Sequence, residues 1–102
     1  MTEMSEPNKL SELNKYTLLK PFELNGKQVT ELVLDMNAIS TEEFLSAIDE
    51  AENIPKATPS RKEALFPFVL LAKMNGVIFY DLVSHLRGGD AVVIIRSIKS
   101  FL

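Results

Sequence analysis

A turn-forming Asn-Gly pair lies between two strand-like segments, and this arrangement constrains the fold more than any other part of the chain. The segment runs Phe22-Glu-Leu-Asn-Gly-Lys-Gln-Val-Thr-Glu-Leu-Val-Leu34. Asn25 and Gly26 tolerate the positive φ angles that a two-residue type I′ turn requires. The sequence therefore predicts an antiparallel β-hairpin over roughly residues 16–34.

Counting outward from this turn predicts the register of the two strands. Four cross-strand pairs result: Leu24 with Lys27, Phe22 with Val29, Lys20 with Glu31, and Leu18 with Val33. An aromatic residue opposite a β-branched one, and a lysine opposite a glutamate, are both favourable cross-strand pairs. Since a lone hairpin is only marginally stable in water, one of its faces must pack against the rest of the chain.

The composition is that of a small folded domain. The chain has 102 residues, of which 46% are hydrophobic and 25% charged, enough for one domain with a modest core. It contains no cysteine, which excludes disulfides, thiolate zinc sites and thiol catalysis. Residues 1–7 are acidic and polar, unlike a signal peptide, and the longest apolar run, residues 66–72, is too short to span a bilayer. These features predict a cytoplasmic protein that is not inserted in a membrane.

Charge is distributed unevenly along the chain. Residues 1–60 carry five lysines against eleven acidic residues, whereas residues 61–102 carry six basic residues against three acidic ones. A nucleic-acid-binding protein needs a concentrated basic stripe, and the basic residues here are scattered. We therefore expect no nucleic-acid partner.

The chain divides into an arm and one domain. Residues 1–14 are polar and acidic with few large apolar side chains, which predicts a flexible N-terminal arm. Residues 15–102 are expected to form a single α+β domain, with the hairpin at 16–34 and a helical part at 40–102.

The helical part begins with a capping box, Ser40-Thr-Glu-Glu43, which predicts a helix start. Four apolar residues then recur at helical spacing and predict its inward face: Phe44, Leu45, Ile48 and Ala51. Residues 53–59 contain two prolines and are expected to be a linker.

The next helix is predicted to be the buried centre of the domain. A second capping box, Ser60-Arg-Lys-Glu63, is expected to open it, and residues 64–72 are apolar on nearly every side. Pro67 lies inside this helix and is expected to kink it. Asn75-Gly76 is expected to end it, with Gly76 in the left-handed C′ position.

Two further helices are predicted in the C-terminal quarter. A short helix carries one apolar stripe: Ile78, Phe79, Leu82, Val83 and Leu86. Gly88-Gly89 is expected to stop it, and Asp90 to serve as the N-cap of a last helix. The inward stripe of that helix is expected to be Ala91, Ile94, Ile95, Ile98 and Leu102. Residues 92–95 taken alone also fit a strand. The predicted fold is α+β, an N-terminal β-hairpin packed on a small bundle of about four helices.

Several polar clusters were weighed as sites of chemistry. Asp81, Ser84 and His85 are close in sequence, but neighbours on one short helix do not meet as a catalytic triad must. The carboxylates between Glu42 and Glu52 lack the alternating ligands and turn glycine of a calcium loop. Residues 88–90, Gly-Gly-Asp, lack the spacing of a phosphate-binding loop. The aromatic residues Phe66, Phe68 and Phe79 are expected in the core. We therefore predict no catalytic residue, no cofactor site and no metal site.

Several segments together resemble the tail assembly chaperones of contractile-tailed bacteriophages. The similarity rests on Lys20-Pro-Phe-Glu-Leu-Asn-Gly-Lys-Gln-Val-Thr-Glu-Leu-Val-Leu34, on the apolar helix ending in Asn75-Gly76, and on a closing segment from Asp90 to Phe101-Leu102. It covers roughly residues 18–102. The chain departs from the family pattern at residues 35–39, which lack the usual basic linker containing Pro and Gly.

The resemblance implies a non-enzymatic protein that keeps the long tape-measure protein soluble and helps tail-tube subunits assemble around it. It implies action without nucleotide, in the cytoplasm of the host cell of a phage or prophage.

The last helix contains the residues that we expect to contact a partner. Val92 and Val93 fall outside its inward stripe, and Phe101 lies at the edge of that stripe. These three residues are the candidate surface for the partner or for self-association. The alternative is that they fill a two-sided core.

Two other classes of protein remain open at this stage. The first is a small structural virion component, such as a tail-completion protein. The second is a phage regulatory protein, which would require a basic recognition helix that none of the predicted helices provides.

Overall fold

The computed structural model describes residues 14–102, which form an N-terminal β-hairpin followed by four α-helices. The strands are β1 (Lys15–Leu24) and β2 (Lys27–Val33), and a 3₁₀ turn follows at Met36–Ala38. The helices are α1 (Thr41–Glu52), α2 (Pro59–Asn75), α3 (Phe79–His85) and α4 (Gly88–Lys99). The predicted α+β class is confirmed. The arm predicted for residues 1–14 lies outside the described residues except for Asn14, whose carbonyl accepts a bond from the Leu34 amide.

The tip of the hairpin forms as predicted. Asn25 and Gly26 have φ angles of 54° and 80°, both in the left-handed region that a type I′ turn requires. The two pairs nearest the turn are also confirmed, Phe22 with Val29 and Leu24 with Lys27.

The predicted register is wrong in the half of the hairpin away from the turn. Thr17, and not Lys20, faces Glu31, while Lys15, and not Leu18, faces Val33. The residues of β1 between Thr17 and Phe22 form a bulge. Glu31 therefore forms an ion pair with Lys15, with 3.5 Å between Lys15 Nζ and Glu31 Oε1, and not with Lys20.

The bulge has a physical cause in β1 and another far along the chain. Pro21 has no backbone N–H to donate to β2. The amides of Leu19 and Lys20 donate to the carboxylate of Asp90 on α4. These backbone donors of β1 are therefore satisfied by α4 and not by β2, and the register of the two strands shifts here.

Helix α1 begins at the predicted capping box but is rotated relative to the prediction. The Glu43 amide donates to Ser40 Oγ at 3.1 Å, and the Ser40 amide donates to Glu43 Oε1 at 2.9 Å. The small residues Ala47 and Ala51 are buried in the interface with α2. Because these small side chains allow close packing, Leu45 and Ile48 are turned outward, with 54% and 38% of their surface exposed.

Helix α2 is the centre of the core, but the second capping box does not open it. Thr58 is the N-cap and its hydroxyl accepts from the Arg61 amide at 3.2 Å, while Pro59 occupies the first turn. Pro suits that position because its φ is already helical and its missing N–H is not needed there. Ser60 is therefore inside the helix. Residues 67–72 are all buried, and the helix continues through Pro67.

Helix α4 begins two residues before the predicted N-cap. Arg87 is the cap residue and makes no side-chain cap bond, and Asp90 lies in the first turn with no exposed surface. Ile94 and Ile98 are fully buried as predicted, but Leu102 is 61% exposed because the helix ends at Lys99. Residues 92–95 are helical, so the strand alternative is wrong.

Replacing Gly76 by alanine is expected to lower the free energy of unfolding by about 1 kcal/mol. Gly76 ends α2 with a φ of 64°, and an added Cβ would meet no atom within 4 Å, so the whole effect is backbone strain. Gly89→Ala is the matched control because Gly89 has no positive φ and lies in a helix, where alanine is preferred. Chemical denaturation should show a loss for Gly76→Ala only, and an equal effect at both positions would contradict the strain argument.

Candidate interaction surface

The polar residues Asp81, Ser84 and His85 make hydrogen bonds only within α3. His85 Nδ1 lies 2.8 Å from the backbone carbonyl of Asp81, and the Ser84 hydroxyl donates to the same carbonyl at 3.0 Å. The imidazole packs on the ring of Phe22, with 5.6 Å between the ring centres. The Asp81 carboxylate does not orient the imidazole, so the geometry of a triad is not formed.

The remaining polar and aromatic candidates have structural positions. Glu43 belongs to the cap of α1, and Glu50 forms an ion pair with Lys73 of α2. Within residues 14–102, no three acidic or histidine side chains are close enough together to hold a metal ion. Phe68 and Phe79 are buried, and Phe66 is half-buried against Phe44.

The most unusual polar residue is Asp90, whose carboxylate joins α4 to β1. Oδ1 accepts from the Tyr16 hydroxyl at 2.6 Å and from the Leu19 amide at 2.8 Å. Oδ2 accepts from the Lys20 amide at 3.1 Å. No cationic side chain is within ion-pair distance of it among residues 14–102. Hydrogen bonds and the positive end of the α4 dipole therefore stabilise the buried charge.

The electrostatics of this contact favour a charged carboxylate and a neutral phenol. Burial raises the pKa of Asp90, but the hydrogen bonds from Tyr16, Leu19 and Lys20 outweigh it, so the net pKa lies below its usual value. The hydrogen bond to Asp90, then burial and the nearby negative charge, raise the pKa of Tyr16. The carboxylate is thus ionised throughout the neutral range.

A second side chain fastens the other strand to the helices. Asn75 Oδ1 accepts from the Val33 amide at 2.7 Å, and its Nδ2 donates to the Val33 carbonyl at 3.0 Å and to the Leu71 carbonyl at 2.9 Å. The amide thereby satisfies both backbone groups of Val33, as a neighbouring strand would. In the sequence, Asn75 and Asp90 indicate only helix ends, and no nearby residue predicts these hydrogen bonds to the hairpin.

The predicted partner-binding residues lie at the surface. Val92, Val93 and Phe101 have 48%, 38% and 56% of their surface exposed, so they do not fill a two-sided core. Leu19 is 69% exposed and lies beside Gly89, one helical turn from both valines. Asp90 fixes this region, because it bonds the Leu19 amide on one side and is part of α4 on the other.

The outward side of α4 also carries positive charge. Arg96 and Lys99 are exposed at helical spacing from Val92, and neither has an ion-pair partner among residues 14–102. We call the set Val92, Val93, Arg96 and Lys99 the α4 face.

Two clefts of about 460 Å³ lie on either side of the loop that joins α1 to α2. Apolar and charged residues line them together: Ile54, Phe79 and Tyr80 are shared by both, Lys56 and Arg61 line one cleft, and Glu50 and Lys73 line the other. Neither cleft is lined by Asp90 or Tyr16, the two groups with shifted pKa values.

The comparisons with known proteins identify no relative. No protein-family model, curated protein or solved structure matches the chain. In residues 14–102 no single helix combines the length and apolarity needed to cross a membrane, although α2 and α3, bent by 110° at their junction, satisfy both criteria when taken together.

Proposed function

We propose that this protein is a phage tail assembly chaperone, a non-enzymatic binding protein that keeps the tape-measure protein soluble in the host cytoplasm and assists assembly of the tail tube around it. The observation that carries the proposal is the exposed apolar surface of α4, presented by a helix whose position is fixed by a buried carboxylate. Tail-tube subunits are the second class of partner.

The residues behind the sequence resemblance support this proposal because they act together in the structure. The Lys20-Pro21 pair lies at the bulge. Asp90 accepts a hydrogen bond from the bulge, and Asn75 accepts one from β2. These residues fasten the hairpin to two helices, α2 and α4. The resemblance therefore involves connected positions and not scattered ones.

The surface chemistry also suits a helical client. A tape-measure protein with coiled-coil-like segments presents an apolar stripe that must be covered before assembly. Val92, Val93 and Phe101 offer an apolar contact, and Arg96 and Lys99 offer charges beside it that steer association. Binding of this kind requires no nucleotide.

Substituting Val92, Val93 and Phe101 together with glutamine is expected to reduce the soluble yield of a co-expressed tape-measure protein. Glutamine removes the apolar contact yet favours a helix more than valine does, so the thermal melt of the chaperone should change little. Solubility of the tape-measure protein after cell lysis, with wild-type chain, variant or neither, is the measurement.

The matched control replaces Ile78 and Tyr80 with glutamine, since their exposure of 64% and 56% is similar but they lie at the start of α3, Ile78 as its N-cap and Tyr80 in its first turn. This control should retain the protective effect. A tape-measure protein equally soluble with and without the wild-type chain would refute the chaperone function. Finding the chain in purified virions by mass spectrometry would then favour a structural tail component.

A further inference from the structure

The solvent side of α1 carries an apolar pair flanked by negative charge. Leu45 and Ile48 are exposed by 54% and 38%, and Asp49 and Glu52 follow them on the same side of the helix. Neither Asp49 nor Glu52 has an ion-pair partner among residues 14–102. We call Leu45, Ile48, Asp49 and Glu52 the α1 face.

The surroundings of the α1 face leave its charge uncompensated. Beside Ile48, a groove between α1 and α2 is lined by Glu52 of α1 and by Lys62 and Glu63 of α2, so that one lysine lies among two glutamates and the groove keeps a negative balance. Every ionisable side chain within α1 itself is acidic. The face therefore combines exposed apolar surface with negative potential.

The α1 face and the α4 face match in order and length. Each has two exposed apolar residues followed toward the C-terminus by two charged ones, acidic on α1 and basic on α4. Leu45 to Glu52 and Val92 to Lys99 each extend over seven residue steps, about 10 Å along a helix. Apolar pairs and opposite charges can thus meet together when the two helices lie side by side and parallel.

The two faces do not satisfy each other within one molecule. Helix α1 packs on α2, whereas α4 packs on α2 and β1. No ion pair joins Asp49 or Glu52 to Arg96 or Lys99. Within residues 14–102 each face is therefore left without its complement, and a second molecule can supply it.

We propose that a second copy of this chain binds here, with the α1 face of one molecule against the α4 face of the next. Such a contact uses two different surfaces, so a dimer still presents one free α1 face and one free α4 face, one on each molecule, and association proceeds head to tail. The apolar pairs supply contact area, and the charges select the partner face and the register. The inference does not depend on the proposed client.

Exposed charges of this kind are screened by salt, and the contact is small. We therefore expect a weak, concentration-dependent assembly that dissociates as ionic strength rises. Sedimentation velocity of the purified protein over a concentration series, at low and high salt, measures this directly.

Charge reversal provides the decisive test. An acid-to-base variant (Asp49→Lys with Glu52→Lys) and a base-to-acid variant (Arg96→Glu with Lys99→Glu) should each lose self-association. Mixed in equal amounts, the two variants should associate with each other, because each reversed face then meets a face of opposite charge. Control substitutions Lys27→Glu and Arg61→Glu change the net charge as much as the base-to-acid pair but lie elsewhere, so they should leave assembly intact.

Cross-linking tests the contact independently of charge. Because the chain has no cysteine, Ile48→Cys and Val93→Cys can be introduced on separate molecules and mixed under mild oxidation. A disulfide-linked dimer is expected for this mixture and not for Ile48→Cys mixed with Ile78→Cys. A wild-type protein that stays monomeric at all concentrations, or charge variants that associate as wild type does, would overturn the proposal while leaving the chaperone function untouched.

Discussion

Replacing Asp90 by alanine is expected to lower the free energy of unfolding by about 3–5 kcal/mol, a large part of the stability of a domain of this size. The substitution leaves the Tyr16 hydroxyl and the amides of Leu19 and Lys20 without their acceptor. It also opens a gap at a fully buried position between β1 and α4. Thermal or chemical denaturation followed by circular dichroism measures the loss, which should lower Tm by about 12 °C or more.

Asp90→Asn separates the role of charge from that of shape. The amide has one oxygen acceptor and one NH₂ donor, so it cannot accept all three bonds that both carboxylate oxygens now share. We expect a loss of about 2–4 kcal/mol. Glu63→Gln, an equivalent change at an exposed residue, should be nearly neutral. If Asp90→Asn is also neutral, the hydrogen bonds do not hold β1 on α4.

The same contact predicts how stability changes with pH. The folded pKa of Asp90 lies below its usual 3.8, so its contribution is complete above about pH 4 and is lost as pH falls through the folded value. The folded pKa of Tyr16 lies above its usual 10.0, so the contribution of the neutral phenol is lost as pH rises through that higher value. In Asp90→Asn the part of the acid-induced loss that this carboxylate causes should disappear.

The second large effect is expected at the centre of α2. Leu70 and Leu71 have no exposed surface. Each of the single substitutions Leu70→Ala and Leu71→Ala should lower the free energy of unfolding by about 2–5 kcal/mol, because it removes buried apolar surface and leaves a cavity. Leu45→Ala is the control, because the same side chain is removed at a position that is 54% exposed. Chemical denaturation should show a loss at both buried positions and little change at Leu45. If neither substitution changes the free energy of unfolding, α2 is not part of the core.

The features that depend only on residues close together in the sequence could be predicted from it. The Asn25-Gly26 turn, the capping box at Ser40 and the left-handed Gly76 are each determined by the conformational preferences of the residues themselves. The fold class followed from these signals together with the apolar residues of α2.

The start of α2 shows how two local signals compete. The Ser60–Glu63 pattern and the Thr58-Pro59 pair each predict a helix start, and the structure uses the second. Pro59 favours this outcome because a proline in the first turn loses no hydrogen bond. The prediction relied on the Ser60–Glu63 pattern alone and is therefore two residues late.

The register of the hairpin could not be predicted from nearby residues alone. Pro21 in a strand is a sign of a bulge or an edge, but its position gives no partner for the amides of Leu19 and Lys20. That partner, Asp90, lies about 70 residues away. Only the packing of α4 on β1 brings the carboxylate to these donors.

The candidate surface was predicted in part. Val92 and Val93 were identified because they lie outside the inward stripe of α4, a property of helical periodicity alone. The prediction that Leu45 and Ile48 face inward is wrong. Periodicity identifies an apolar stripe on a helix but does not tell which side of the helix packs on the core. Ala47 determines that direction by its close packing on α2.

The bond between Tyr16 and Asp90 joins residues 74 positions apart, which has a consequence for the order of events during synthesis. Helix α4 is translated after the other elements described here, so β1 exists for most of that time without its acceptor. A nascent hairpin is then free to adopt the regular pairing, with Lys20 opposite Glu31, and the amides of Leu19 and Lys20 gain their acceptor in the bulged pairing only when α4 arrives. Since late, long-range contacts slow folding, we expect the final step to be a change of strand register that waits for the synthesis of α4.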